Sequence, residues 1–160
     1  MKNIILIRHA KSSWEFPIPD KERELTNNGI KRAIEVANNS IPYIVSSATI
    51  WCSSAKRTLL TANIFFKIWN FDTNKLNVKE DLYTFDCSEL EVIVKSCPNQ
   101  CEFLILFGHN GAITDFVNKF GNKYISNVPT SGMVSINFDT SCWSEVTKGI
   151  IQTIIFPTKN

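Results

Sequence analysis

The apolar run Asn3-Ile4-Ile5-Leu6-Ile7 passes without a break into Arg8-His9-Ala10-Lys11-Ser12-Ser13-Trp14, and this junction restricts the possible folds more than any other stretch. Four consecutive aliphatics, three of them β-branched, suit a strand covered on both faces, and such strands belong to parallel sheets flanked by helices. In open α/β sheets ligands bind just beyond the carboxyl ends of the strands. Arg8 and His9 are therefore expected where chemistry is usually done.

The rest of the chain continues the α/β grammar. Pro17 and Pro19 hold residues 15–20 extended, as a loop expected to arch beside the Arg8-His9 end. A helix is predicted from Asn27 or Asn28 to Asn38, capped by Thr26 or Asn27, with Ile30, Ala33, Ile34 and Ala37 as its apolar stripe. Residues 41–47 read as a short helical turn or loop and Thr49 to Cys52 as a strand ending at Ser53-Ser54. A helix from Ala55 to Trp69 follows, with Lys56 and Arg57 in its first turn. Cations there oppose the helix dipole and make better sense beside an anion. Leu76 to Lys79 reads as an edge strand, Ser88 to Ser96 as a helix closed by Pro98, and Glu102 to Phe107 as a second strongly apolar strand running into Gly108-His109-Asn110-Gly111. A helix over 112–120 comes next, and Met133 to Phe138 with Ile150 to Phe156 is expected to form an antiparallel hairpin at one sheet edge.

Composition limits the function classes. A chain of 160 residues has the length of a single domain, expected to span 1–160. A net charge of +2 is too mild to imply nucleic acid, so anion-binding power has to be local. With no apolar segment near the ~20 residues that span a bilayer, no membrane partner is expected and the default address is cytoplasmic. The five cysteines are odd in number and scattered, which fits reduced thiols, and Cys97 and Cys101 belong to no Cys/His cluster that would complete a metal site.

The chain contains two histidines, His9 and His109, and each follows one of its two most apolar strands. Arg8 adjoins the first, and Arg57 opens the helix after Ser53-Ser54. Parallel strands would deliver all four groups to one crevice. Two permanently charged planar forks suit phosphate oxygens, and imidazoles can donate hydrogen bonds or act as nucleophile and proton carrier. The nucleotide-loop, Rossmann, zinc-protease and serine-hydrolase motifs lack their residues here.

These residues carry a resemblance. Leu6-Ile7-Arg8-His9-Ala10, Ser53-Ser54-Ala55-Lys56-Arg57-Thr58 with Thr61-Ala62, and Gly108-His109-Asn110 resemble the three signatures of the histidine phosphatase, or phosphoglycerate-mutase-like, superfamily. Residues 8–14, Asp20, Arg23, Leu25-Thr26, Gly29, Leu82-Tyr83 and Pro129-Thr130-Ser131-Gly132 are similar to its short bacterial phosphohistidine-phosphatase branch. The resemblance implies a three-layer α/β/α sandwich with a mostly parallel central sheet. It also implies that His9 attacks phosphorus to give a phosphohistidine enzyme while Arg8, Arg57 and His109 hold the phosphoryl oxygens, with no cofactor and no metal. The second His9 nitrogen is then expected to donate to a backbone carbonyl that fixes the tautomer.

Lys11 and Ser12 are expected as supplementary phosphate contacts, and Arg23 as a tie for the 17–26 loop through a carboxylate such as Asp20. Trp14 is expected to anchor that loop by packing. Most phosphomonoesterases of the superfamily resemble one another in carrying an acidic residue where Thr84 stands here, so the proton donor is missing, with Asp86 a candidate substitute and Asp81 and Glu80 nearby. The expected activity is hydrolysis of phosphohistidine in a protein, or of a small phosphorylated substrate. The alternatives are a general phosphomonoesterase or mutase-type phosphotransferase, and a non-catalytic phosphate-binding module.

Overall fold

The structure, a computed structural model, describes residues 1–158. Residues 159–160, the end of the expected domain, lie outside the described residues. The elements in chain order are β1 (Lys2–Arg8), α1 (Asn27–Ser40), β2 (Thr49–Ser53), α2 (Lys56–Trp69), β3 (Leu76–Lys79), α3 (Cys87–Lys95), β4 (Phe103–Gly108), α4 (Ala112–Phe120), β5 (Met133–Phe138) and β6 (Ile150–Ile155).

The strands form one sheet in the order β3-β2-β4-β1-β5-β6. β3, β2, β4 and β1 are parallel, while β5 runs antiparallel to β1 and β6 antiparallel to β5. The expected antiparallel edge pair is present, and it attaches directly to the central strand β1. Ile4, Ile5, Leu6 and Ile7 are all buried, because β1 is covered on both faces. Ile4 and Leu6 pack with Phe116, Val117 and Ile93 under α3 and α4, while Ile5 and Ile7 pack with Ala33, Val36, Ala62 and Phe65 under α1 and α2. The layers are therefore α/β/α. Full burial of each such aliphatic contributes roughly 1.5–3 kcal/mol.

The connections place the crevice. β1 leads to α1 on one face of the sheet, and its neighbour β4 leads to α4 on the other. Successor helices that diverge from two adjacent parallel strands leave an opening between the strands' carboxyl ends. Arg8 pairs in register with Gly108, so His9 and His109 emerge side by side at that opening.

Two local expectations need correction. The stripe of α1 is rotated: Gly29, Ala33, Val36, Ala37 and Ser40 are buried, whereas Ile30 and Ile34 are exposed. The reason is tertiary. A Cβ on Gly29 would stand 2.4 Å from the Lys11 carbonyl oxygen, so the helix docks by its glycine against the loop after β1, and that contact sets its rotation. The helix also runs to Ser40 rather than Asn38, because the buried Ser40 hydroxyl accepts a hydrogen bond from the Trp69 indole on α2 (2.8 Å). The expected cap is found: Thr26 accepts from the Gly29 amide at 2.9 Å.

Candidate active site

His9 stands one residue beyond β1, with its amide bonded to the Gly108 carbonyl (3.0 Å). Its Nδ1 lies 2.7 Å from the Ala10 carbonyl oxygen. A carbonyl only accepts, so Nδ1 carries the proton and Nε2 keeps its lone pair. Thr61 on α2 holds that carbonyl's residue in place, accepting from the Ala10 amide at 2.9 Å while donating to the Arg57 carbonyl at 2.7 Å. The second imidazole, His109, has its ring centre 5.3 Å from that of His9. Its Nε2 meets the Ser53 hydroxyl at the end of β2 (2.8 Å), and its buried Nδ1 has no partner. The rings of Tyr83 and Phe85 stand edge-on against His109, 5.4 and 5.3 Å away.

The two arginines are each held by their tips. Arg8 donates from Nη1 to the Val128 carbonyl (3.0 Å), and Arg57 donates from Nη1 to the Asp20 carbonyl (2.6 Å) and from Nη2 to the Asp20 carboxylate (2.9 Å). In both, Nε is buried and unpartnered. The hydroxyl of Ser131, whose amide reaches the carbonyls of Arg8 and His9, is likewise buried without a partner. Buried polar groups are normally satisfied. A concentration of orphaned donors around one imidazole is the arrangement an oxyanion would complete.

Burial and charge set the protonation states. Desolvation, with the Arg57, Arg8 and Arg23 charges, pushes His9 down to about 4 against the pull of the Ala10 hydrogen bond. His109 is lowered to about 3 by desolvation and by the charges of His9 and Arg57. Asp20 loses some solvation too, but hydrogen bonds from Tyr83 and Arg57 outweigh this and take it to about 2. A neutral imidazole with a free lone pair beside two guanidiniums can attack an electrophile that carries anionic oxygens.

No family model and no curated protein sequence matches the chain. Solved structures do. The protein histidine phosphatase SixA, solved with tungstate, superposes with a TM-score of 0.80 at 17% identity, covering 97% of each chain. A candidate phosphohistidine phosphatase SixA from Nakamurella multipartitia gives 0.79 at 16% identity, over 99% of this chain and 97% of that one. A phosphoserine phosphatase from Entamoeba histolytica, in complex with 3-phosphoglyceric acid, gives 0.64 at 16% identity over 99% and 98%. This is the histidine phosphatase fold.

Within that fold the loop between β1 and α1 is more closely tied to the crevice than its sequence suggests. Arg23, itself buried, bonds Asp20 through Nε at 3.1 Å, as expected, and also donates from Nη1 to the Ser12 hydroxyl (2.5 Å). The Ser12 hydroxyl accepts there, which leaves its own proton to donate. Asp20 does more than hold Arg23: its carboxylate accepts from Arg57 and from the Tyr83 hydroxyl (2.5 Å), linking the loop to α2 and to the segment after β3. The anion that the basic first turn of α2 calls for is partly the chain's own, since Lys56 also pairs with Glu24 (3.0 Å). Trp14 is not packed down. It is 77% exposed and lies over the Arg23 guanidinium at 3.6 Å. Lys11 is exposed, and its backbone carbonyl accepts from the Thr26 amide.

Three of the carboxylates near Thr84 are engaged by other groups. Asp86 caps α3, accepting from the Ser88 amide (3.0 Å) and hydroxyl (2.9 Å). Thr84 donates to Glu89 (2.8 Å), and Glu80 accepts from Lys21 (2.7 Å) and Ser54 (2.9 Å). Asp81 is exposed. Among the described residues, no cluster of three His, Cys, Asp or Glu side chains could hold a metal ion. Sequence reading missed Ser53 and the Asp20–Arg57 pair. The signals that could have found them were a serine closing β2 and an acidic residue following a two-proline loop.

The depressed histidines give a stability prediction. Both unfolded rings titrate near 6.5 and the folded ones near 4 and 3. Between those limits the unfolded chain binds protons that the folded chain refuses, so stability falls as pH falls from about 6.5 to 4, by at most about 1.4 kcal/mol per pH unit per ring. It is fully retained above that window. Denaturant unfolding at stepped pH, with ring NMR titration of the folded protein, checks this. A folded ring titrating near 6.5 would show that the crevice is wet.

Proposed function

We propose that this protein is a phosphatase that works through a covalent phosphohistidine at His9 and acts on protein phosphohistidine. The observation that carries the reading is the Nδ1 of His9 held by the Ala10 carbonyl, which leaves the Nε2 lone pair in the field of the buried Arg57 guanidinium and the half-buried Arg8 one. In the first step Nε2 attacks phosphorus in line with the departing atom. The bond to the leaving group breaks and its electron pair leaves with that group. In the second step water attacks phosphorus opposite Nε2, the N–P electron pair returns to Nε2, and both water protons remain on the released phosphate. Arg8, Arg57 and His109 stabilise the charge on the equatorial oxygens throughout.

The substrate class follows from the acid. Asp20 is the carboxylate bonded to a residue of this cluster, and with a pKa of about 2 it has no proton to give near neutrality. An alkoxide leaves poorly without a proton, whereas a phosphorylated imidazole already protonated on its other nitrogen leaves as neutral imidazole. The likeness to proteins named as phosphohistidine phosphatases supports the same choice.

Parallel turnover of a phosphohistidine peptide, para-nitrophenyl phosphate, phosphoserine and phosphoglycerate tests the reading. Rates are expected to fall steeply as leaving-group pKa rises, and Asp86→Ala is expected to change turnover of the activated substrates less than twofold. Equal turnover of alkyl and aryl phosphates, or collapse of alkyl turnover in Asp86→Ala, would instead identify a general phosphomonoesterase with its own proton donor.

A further inference from the structure

We propose that Ser53 is a positioning residue that fixes the tautomer of His109, so that the ring presents Nδ1–H to the phosphoryl group. The inference rests on reading Arg8, His9, Arg57 and His109 as a phosphoryl pocket.

Donor and acceptor accounting decides the tautomer. Ser53 is completely buried, and its hydroxyl oxygen lies 2.8 Å from His109 Nε2 and 3.3 Å from the Ala55 amide nitrogen. The amide can only donate, so the hydroxyl oxygen accepts there. Its single proton then has one acceptor in contact, the Nε2 lone pair of His109. The opposite assignment, with Nε2–H donating to the hydroxyl, would bury a hydroxyl proton with no acceptor. Buried hydroxyls are rarely left in that state. Ser53 thus donates, Nε2 accepts, and the ring proton resides on Nδ1.

The consequence concerns the pocket. A ring with so low a pKa is neutral and has one N–H to offer. Since Nε2 is engaged by Ser53, the ring nitrogen without a partner is Nδ1. With its proton on Nδ1, His109 meets an anionic oxygen as a donor. With its proton on Nε2, it would meet that oxygen with a lone pair and repel it. The serine is itself held firmly, since it closes β2 in register with Lys79 and its carbonyl accepts from the Thr58 hydroxyl at 3.0 Å.

The chain's two histidines make the test direct. Nitrogen-15 ring spectra at neutral pH, with the signals assigned by their loss in His109→Gln, report which nitrogen carries each proton. The wild-type His109 ring is expected to be the Nδ1–H form. In Ser53→Ala it is expected to shift to Nε2–H, with kcat/KM for para-nitrophenyl phosphate and affinity for inorganic phosphate each falling 10- to 100-fold, the scale of one lost charge-assisted hydrogen bond. A wild-type ring protonated on Nε2 overturns the proposal without any variant. So does a Ser53→Ala protein that keeps the Nδ1–H form while losing activity, or one that changes tautomer while keeping both rate and phosphate affinity. The expected spectra and phosphate affinities, with no wild-type turnover of any phosphorylated substrate, would uphold the role of Ser53 and overturn the phosphatase reading.

Discussion

Replacing His9 with alanine is expected to lower turnover of every substrate on the order of 10⁶-fold, the scale of deleting a covalent nucleophile from a hydrolase. The expectation rests on the absence of a substitute. His109 is the other imidazole of the crevice, but its Nε2 is occupied by Ser53. Acid-labile phosphate should appear on quenched wild-type protein and be missing from the variant. The fold should persist, because the substitution removes one hydrogen bond to Ala10 and also relieves a desolvated ring, so the net change is about 1 kcal/mol. Near wild-type turnover in a folded His9→Ala protein would remove the covalent mechanism altogether.

Replacing Arg57 with alanine is expected to cost 10³- to 10⁵-fold in kcat, the range attributed to a transition-state arginine in phosphoryl transfer. This residue has two functions that need separating. Its Nε is buried without a partner, and it holds the 17–26 loop through both the carbonyl and the carboxylate of Asp20. Asp20→Asn breaks the charged pairing while leaving the guanidinium in place. It should therefore lower stability and cost activity tenfold at most, whereas Arg57→Lys, which keeps charge but loses the fork, should still lose at least 10²-fold. If Asp20→Asn lost as much rate as Arg57→Ala, the arginine would act mainly through the loop.

Much of the architecture was legible because its signals are local. The runs at 4–7 and 104–107 are apolar without alternation, short and rich in β-branched or aromatic residues, a pattern that suits strands buried on both faces of a sheet. Strand and helix limits departed by a residue or two, chiefly where a distant partner extends an element, as the Trp69 indole does for α1 at Ser40. The stripe of α1 was misplaced for a similar reason. Ile30 and Ile34 have the right spacing for a buried face, but spacing gives a period and not a phase. Here the phase was set by the contact of Gly29 with Lys11, a residue of the loop before the helix.

Which groups stand at the carboxyl edge of the sheet could be read from the order of residues. Arg8, His9 and His109 directly follow strands, and Arg57 opens a helix after another, so chain direction alone carries them to one side of a parallel sheet. What each of those groups is bonded to came from the folded packing. Ser53 on His109 and Asp20 bridging Arg57 and Tyr83 depend on where segments cross, and the pairing of Asp20 with Tyr83 spans 63 positions, while the Ala10 carbonyl on His9 is a neighbour's contact whose geometry the backbone after β1 decides. The fold of the loop after β1 likewise made Ser12 a partner of Arg23, whereas the capping of α3 by Asp86 is a local contact two residues long. Hydrophobic burial averages over a whole element and leaves a periodic trace in sequence. A hydrogen bond is a contact between two atoms at about 3 Å, and it leaves no such trace.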